Sequence, residues 1–272
     1  MTDFRERFGV DLGARLPIED GVRWARDNGF LHADIRIGDT GNEFTSFDAA
    51  RIKAVRSLLD QTGVRLGLHT LSAVNMAEFS PYLSEAVDQY LTDYIDLAGP
   101  LGAEWIVVHA GYHFTADYDR RRKTALERLQ RLTGYAGKKG VRLLLENMNP
   151  EPHDAEVRYL AHDLEECQYY FGHLTAPNLG WSYTINHAHM LPVGIEGFTS
   201  TLDMSRCGEV RVADNKGDKE EHLRPGEGTI DFKQAFRGIE ARGYRGHYML
   251  AFGALDDMRD GRDWLVANAR PD

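Results

Sequence analysis

Eight short apolar runs recur along this chain, spaced by roughly 30 to 35 residues. They are FGVDLG, LHADIRIG, VRLGLHT, AEWIVVHAG, VRLLLENM, LGWSYTIN, EVRVADN and HYMLAF. Each is followed by a polar turn and an amphipathic stretch, and the interval is the size of a βα unit. The stretches SFDAARIKAVRSLLDQTG, SEAVDQYLTDYIDLAGPLG, YDRRRKTALERLQRLTGYAGKKG and DFKQAFRGIEARG are helical candidates. Several end on Gly just before the next run, where a helix C-cap favours positive φ. Ile52, Val55, Leu58 and Leu59 fall at helical spacing and define one buried face. Eight such alternations predict an α/β fold, a (β/α)8 TIM barrel, as a single domain over residues 1–272. The competing architecture is an open doubly wound sheet. No G-x-G-x-x-G or G-x-x-x-x-G-K-[ST] follows any run, so that option lacks its phosphate cradle.

Composition narrows the function classes. Of the 272 residues 42% are hydrophobic, enough for one large core, and no low-complexity linker divides the chain. No apolar run is long enough to span a bilayer, and MTDFRERFGV lacks the apolar centre of a signal peptide. Cys167 and Cys207 are too few for a disulfide framework or a cysteine zinc site. A cytoplasmic location is the expectation. The net charge of −10 repels a phosphate backbone, which disfavours a nucleic-acid partner. A small-molecule substrate is expected, with a homodimer unsurprising.

Active sites of such barrels form at the C-terminal ends of the strands. The third, fourth and fifth apolar runs end at His69, His109 and Glu146. The sixth ends in Thr184, Asn186 and His187, and the seventh carries Arg211, followed by Glu220 and His222 in the next loop. The eighth ends without an ionisable group. One histidine on an apolar strand is usually a satisfied core residue. Three successive strands ending in His, His and Glu point into one mouth, and that donor set is ordinary for a divalent ion. His32, His113, His153, His162, His173 and His247 are expected in loops, helices or strand starts, solvated. His189 is left open. The run DRRRK, from Asp119, is expected to form a solvated helix face.

The stretches GLHTLSAVNMAE, IVVHAGYH, LLLENMNP, INHAHMLPVGIEGF and VRVADNKGDKEEHLRPGEGTIDF resemble the xylose-isomerase-like barrel superfamily over nearly the whole chain. That superfamily holds sugar isomerases and epimerases, dehydratases and endonuclease IV. The resemblance implies a divalent ion held by two glutamates, an aspartate and a histidine. Glu146 matches the first glutamate. Thr184, Arg211 and Ala251 stand where the aspartate, the histidine and the second glutamate are expected. The endonuclease IV-like pattern implies two other ligand sets, which match His69, His109 and Glu146, and His187, Glu220 and His222. The cofactor expectation is therefore none, or one divalent ion (zinc, manganese or iron), with the first set its preferred holder.

Charge gives Arg211 a role of its own. A guanidinium stays protonated, repels a cation, and can pair with Glu146 in place of the missing ion. It also offers a fork for a carboxylate, a phosphate or a developing enolate oxygen. The leading expectation is a sugar isomerase or epimerase that takes a proton from beside a carbonyl of a sugar, inosose or hydroxy acid. Glu146 or a histidine serves as base, and Arg211 and His187 face the oxyanion. His69, His109 and His222 are substrate contacts, as is Lys216 unless it is a solvated loop lysine. Trp181 and Tyr183 either wall the pocket or pack the barrel. A lyase uses the same intermediate. A barrel that binds without catalysis and an endonuclease IV-like phosphodiesterase are the other readings.

Overall fold

The computed structural model describes residues 3–38 and 41–271; Met1 and Thr2, at the head of the stretch read for a leader, lie outside the described residues. All eight apolar runs form strands: β1 (Phe8–Gly13), β2 (His32–Ile35), β3 (Arg65–His69), β4 (Trp105–Val108), β5 (Leu143–Glu146), β6 (Leu179–Thr184), β7 (Cys207–Val212) and β8 (His247–Leu250). They pair in parallel in sequence order and close on themselves, with Phe8, Gly9 and Val10 of β1 in register with Tyr248, Met249 and Leu250 of β8. The fold is a single-domain (β/α)8 barrel.

Alternation along each strand divides the core in two. Outward residues such as Leu68, Val108, Leu145, Tyr183 and Val212 join one large apolar cluster with the surrounding helices. Trp105, Val107, Leu144 and Met249 form a separate cluster inside the barrel. The helices are α1 (Ile18–Asp27), α2 (Ala49–Thr62), α3 (Pro81–Leu101), α4 (Tyr118–Lys138), α5 (Leu164–His173), α6 (Ile185–His189), α7 (Gly194–Thr201), α8 (Phe232–Ala241) and α9 (Leu255–Asn268). Their limits follow from local chemistry. Asp48 caps α2 by accepting from Arg51 N at 2.8 Å, and Gly63 ends it at φ 71°. No helix of the described residues is long and apolar enough to cross a membrane.

Two expectations need correction. Arg121, in the run read as solvated, is buried and pairs with Asp117 at 2.6 Å; burying its stem against α4's neighbours outweighs exposure because the charge stays paired. His32, His113 and His247 are buried as well. His32 and His247 lie inside the barrel, their rings stacked with centroids 4.5 Å apart, and His247 Nε2 is 3.2 Å from Glu209. Strand starts in a closed barrel face its packed interior, so imidazoles there are enclosed.

What positions the site is the set of loops at the strand C-termini. A short antiparallel pair, Tyr112–Phe114 with Val157–Tyr159, ties the loop after β4 to the loop after β5. Helix α6 starts directly from Thr184, so a single turn carries His187 back toward the barrel axis.

Candidate active site

At the C-terminal mouth lies a cavity of about 990 Å³. His69, His109, Glu146, Thr184, His187, Arg211, Glu220, His222 and Ala251 all line it. Strand ends from around the whole barrel therefore meet, as the sequence predicts.

The first cluster sits on β3, on β5 and just beyond β4. His109 Nε2 is 3.1 Å and His69 Nε2 3.4 Å from Glu146 Oε2, and the two nitrogens are 3.3 Å apart. The Thr70 hydroxyl donates its one hydrogen to the Val107 carbonyl at 3.0 Å, so His109 Nδ1, 3.3 Å from that oxygen, is the donor there. Burial pulls the His109 pKa below its ordinary value despite the carboxylate beside it. Burial also pushes the Glu146 carboxyl up, but hydrogen bonds from His109 and His69 and the charge of Arg211 hold it well below the usual carboxylate range. The Thr184 hydroxyl donates to its other oxygen, Oε1, at 2.5 Å.

The second cluster is borne by α6 and by the loop after β7. His187 Nδ1 donates to the Asn147 carbonyl at 2.7 Å, and His222 Nδ1 to the Ala251 carbonyl at 2.5 Å. Both Nε2 atoms turn to Glu220 Oε1, at 3.2 and 2.8 Å. Asn186 Nδ2 donates to the same oxygen at 3.2 Å, whereas Glu220 Oε2 is buried without a hydrogen-bond partner among the described residues. Burial raises the Glu220 carboxyl, yet the hydrogen bonds from His187 and His222 bring it down to about 2. The His222 pKa is raised, first by its bond to Glu220.

Beneath both lies a floor that the sequence reading missed. Arg211 Nη1 donates to Asp34 Oδ2 at 2.6 Å and to Glu209 Oε1 at 3.2 Å, and Nη2 donates to Asp11 Oδ2. Its Nε is 3.8 Å from Glu146 Oε1. The pairing expected between Arg211 and Glu146 is thus the longest of four. The fork expected to meet an anion or enolate is already filled by three carboxylates, because a buried guanidinium must be neutralised where it lies. Asp34 also accepts from Trp105 Nε1 at 3.0 Å, in space that Gly67 leaves open; a Cβ there would stand 2.2 Å from both side chains. A signal for this floor does exist: Asp11, Asp34 and Glu209 each interrupt an apolar run at an inward-facing position.

Three expected contacts fall elsewhere. Trp181 and Tyr183 are buried in the outer cluster against Phe198, because inward Ser182 and Thr184 alternate with them. Lys216 is exposed and does not line the cavity. His189 also stays outside it, bonded to the Thr229 hydroxyl at 2.9 Å.

The sequence matches the family model for the xylose isomerase-like TIM barrel over residues 22–268. The chain belongs to that family. It is 28% identical over 205 residues to an uncharacterized protein of Methanocaldococcus jannaschii, covering 72% of this chain and 67% of that one. A D-tagatose 3-epimerase-like protein superposes with a TM-score of 0.84 at 22% identity, covering 96% of each chain. D-psicose 3-epimerase from Clostridium cellulolyticum H10, solved with D-tagatose, gives 0.78 at 15% identity over 97% and 99%. At these identities the likenesses show the fold.

Within the xylose isomerase-like family, the resemblance assigns an isomerase-type ion to Glu146 and the positions of Thr184, Arg211 and Ala251. That set does not fit a cation: it offers one carboxylate, a hydroxyl already donating to it, a guanidinium and a methyl group. The other two sets fit. Ligand atoms about 2.0–2.1 Å from a tetrahedral ion lie roughly 3.3–3.4 Å apart, and the first cluster holds its three atoms 3.1, 3.3 and 3.4 Å apart. In the second, both imidazoles donate Nδ1–H to backbone carbonyls, which fixes the tautomer a metal-binding Nε2 requires.

Proposed function

We propose that this barrel is a sugar isomerase or epimerase, acting beside a carbonyl of a small sugar, inosose or hydroxy acid. The observation that carries the reading is the facing of Glu146 and the His187–Glu220–His222 set across one polar cavity. In the reaction, a C–H bond next to the carbonyl breaks, its proton passes to Glu146, and the electron pair moves onto the carbonyl oxygen as an enediolate. Returning a proton to the same carbon from the facing His187–Glu220–His222 set epimerises it, with solvent then resetting both groups; returning the Glu146 proton to the neighbouring carbon isomerises the sugar.

Thr184 holds Glu146 by Oε1, so the carboxylate cannot rotate away from substrate. His187 and His222, whose Nε2 atoms meet at Glu220, would turn them to the developing oxyanion when substrate binds. Arg211 is a positioning residue, holding Asp11 and Glu146 apart at the floor rather than touching substrate. One divalent ion, zinc, manganese or iron, is proposed at His69, His109 and Glu146, where it would polarise a substrate oxygen. The D-psicose 3-epimerase and the D-tagatose 3-epimerase-like protein among the structural neighbours support the reading. A cytoplasmic homodimer with no nucleic-acid partner completes it.

A second reading, a barrel that binds without turnover, is favoured by the replacements at Thr184, Arg211 and Ala251. Solvent exchange separates the two. In D2O, NMR should show loss of the C–H signal next to the carbonyl of a ketose, slowed at least about a hundredfold in Glu146→Gln. Tight binding with no exchange on any ketose would favour the second reading.

A further inference from the structure

With the Arg211 fork filled, the cavity's open guanidinium is Arg15. It lines the mouth from the loop after β1 and is exposed. Its Nη1 donates to the Asp11 and Leu12 carbonyls at 3.2 and 3.4 Å, and its Nη2 to the Gly253 carbonyl at 2.9 Å. Those are neutral acceptors. Among the described residues no carboxylate lies within ion-pair distance of Arg15 and its Nε donates to nothing, although its charge acts on the nearby Asp11 carboxyl. Its seat is built by left-handed backbone at Gly13 (φ 53°) and Gly253 (φ 52°). Arg15 Nη1 lies 3.1 Å from where a Cβ on Gly13 would stand. Backbone that only glycine adopts readily thus holds a charged group flat against the ends of β1 and β8.

Arg36 lines the same wall from the end of β2, its backbone N–H donating to the Gly13 carbonyl at 2.9 Å. Lys219 reaches the cavity from the loop after β7 but pairs with Glu221 at 3.1 Å. The acidic lining residues Glu151 and Asp218 come from the loops after β5 and β7, whereas Arg15 follows β1. A cavity of about 990 Å³ also has room for a chain extending beyond a single reacting carbon.

We propose that Arg15 is an anion subsite, and that the substrate carries a carboxylate or phosphate at the end remote from its reacting carbon. This rests on the isomerase reading above for the other end of the molecule. An arginine fork binds either anion through two parallel N–H bonds, which a neutral sugar hydroxyl does not match.

Calorimetry with fructose, D-fructuronate and fructose 6-phosphate tests it, on the full chain and on Arg15→Ala and Arg15→Lys. At least one anionic ketose should bind about tenfold or more tighter than fructose. Which one does so distinguishes carboxylate from phosphate. That ratio should fall about tenfold in Arg15→Ala and by less in Arg15→Lys, which keeps the charge and loses the fork. A purely structural Arg15 would weaken all three ligands together and leave the ratio intact, overturning the proposal. So would equal binding of the three, or no binding of either anion. Arg15→Lys supplies the same ratio should Arg15→Ala not fold. Solvent deuterium exchange on the same ketoses separates the two readings. An Arg15-dependent preference without exchange overturns the isomerase reading alone. Exchange into fructose with no anion preference overturns the subsite alone.

Discussion

The floor of the barrel and its mouth both gather charge, and they treat it in opposite ways. At the floor every strong group is spent on another: Arg211 on Asp11, Asp34 and Glu209, Glu209 on Ser182 at 2.7 Å and on His247, and Asp34 on Trp105. At the mouth two sets of imidazole and carboxylate converge, His69, His109 and Glu146 and then His187, Glu220 and His222, and one oxygen of Glu220 has no hydrogen-bond partner among the described residues. The floor has the economy of a structural network. The mouth has unmet valence, which is what a site needs in order to bind something.

The sharpest way to break this comparison is to remove the cation of the floor. Arg211→Met takes the paired guanidinium from Asp11 and Glu209, leaving Glu209 buried with Ser182 and His247 alone, and should cost about 3–5 kcal/mol in urea unfolding. A loss under 1 kcal/mol would show that the floor is not a structural network. The mouth should respond to metal instead. Zinc at 100 times its Kd should raise the unfolding free energy by about 2.7 kcal/mol, and His109→Gln should abolish most of that gain. Zinc binding undiminished in that variant would move the ion to the second cluster.

The smallest effect is a pH dependence confined to the floor. Burial and the neighbouring Glu209 raise the Asp34 pKa well above 3.8, against the pull of Arg211. Folding then takes up a proton once the unfolded chain's aspartate has ionised. Stability from this group should fall as pH rises from about 3.8 to its folded pKa, by at most about 1.4 kcal/mol per pH unit. Asp34→Asn stays neutral and should lack that slope. Identical slopes in the two proteins would place the proton taken up on folding elsewhere.

The fold was legible because eight apolar runs at one spacing leave few architectures, and each of those runs is a barrel strand. The mouth was legible for a similar reason: His69, His109 and Glu146 end successive strands, and neighbouring strands are neighbours in space. The floor was not, although its residues stand in plain view. Arg211 meets Asp34 and Asp11 across 177 and 200 positions of sequence, a meeting made only by closing β1 and β2 onto β7 and β8. Trp181 and Tyr183 were left between wall and packing because the register of β6 decides which alternate set faces inward. Ser182 bonded to Glu209 and Thr184 bonded to Glu146 settle that register.

The Arg211 network also limits which single changes the mouth can accept. An isomerase-type ligand set would need Asp, His and Glu at positions 184, 211 and 251. Taken singly, an aspartate at 184 would meet Glu146 across the 2.5 Å that Thr184 now bridges with a proton. A histidine at 211 would take the guanidinium from Asp11, Asp34 and Glu209 before any ion could bind. The present floor and that ligand set are therefore alternatives separated by destabilised intermediates, and no single substitution converts one into the other.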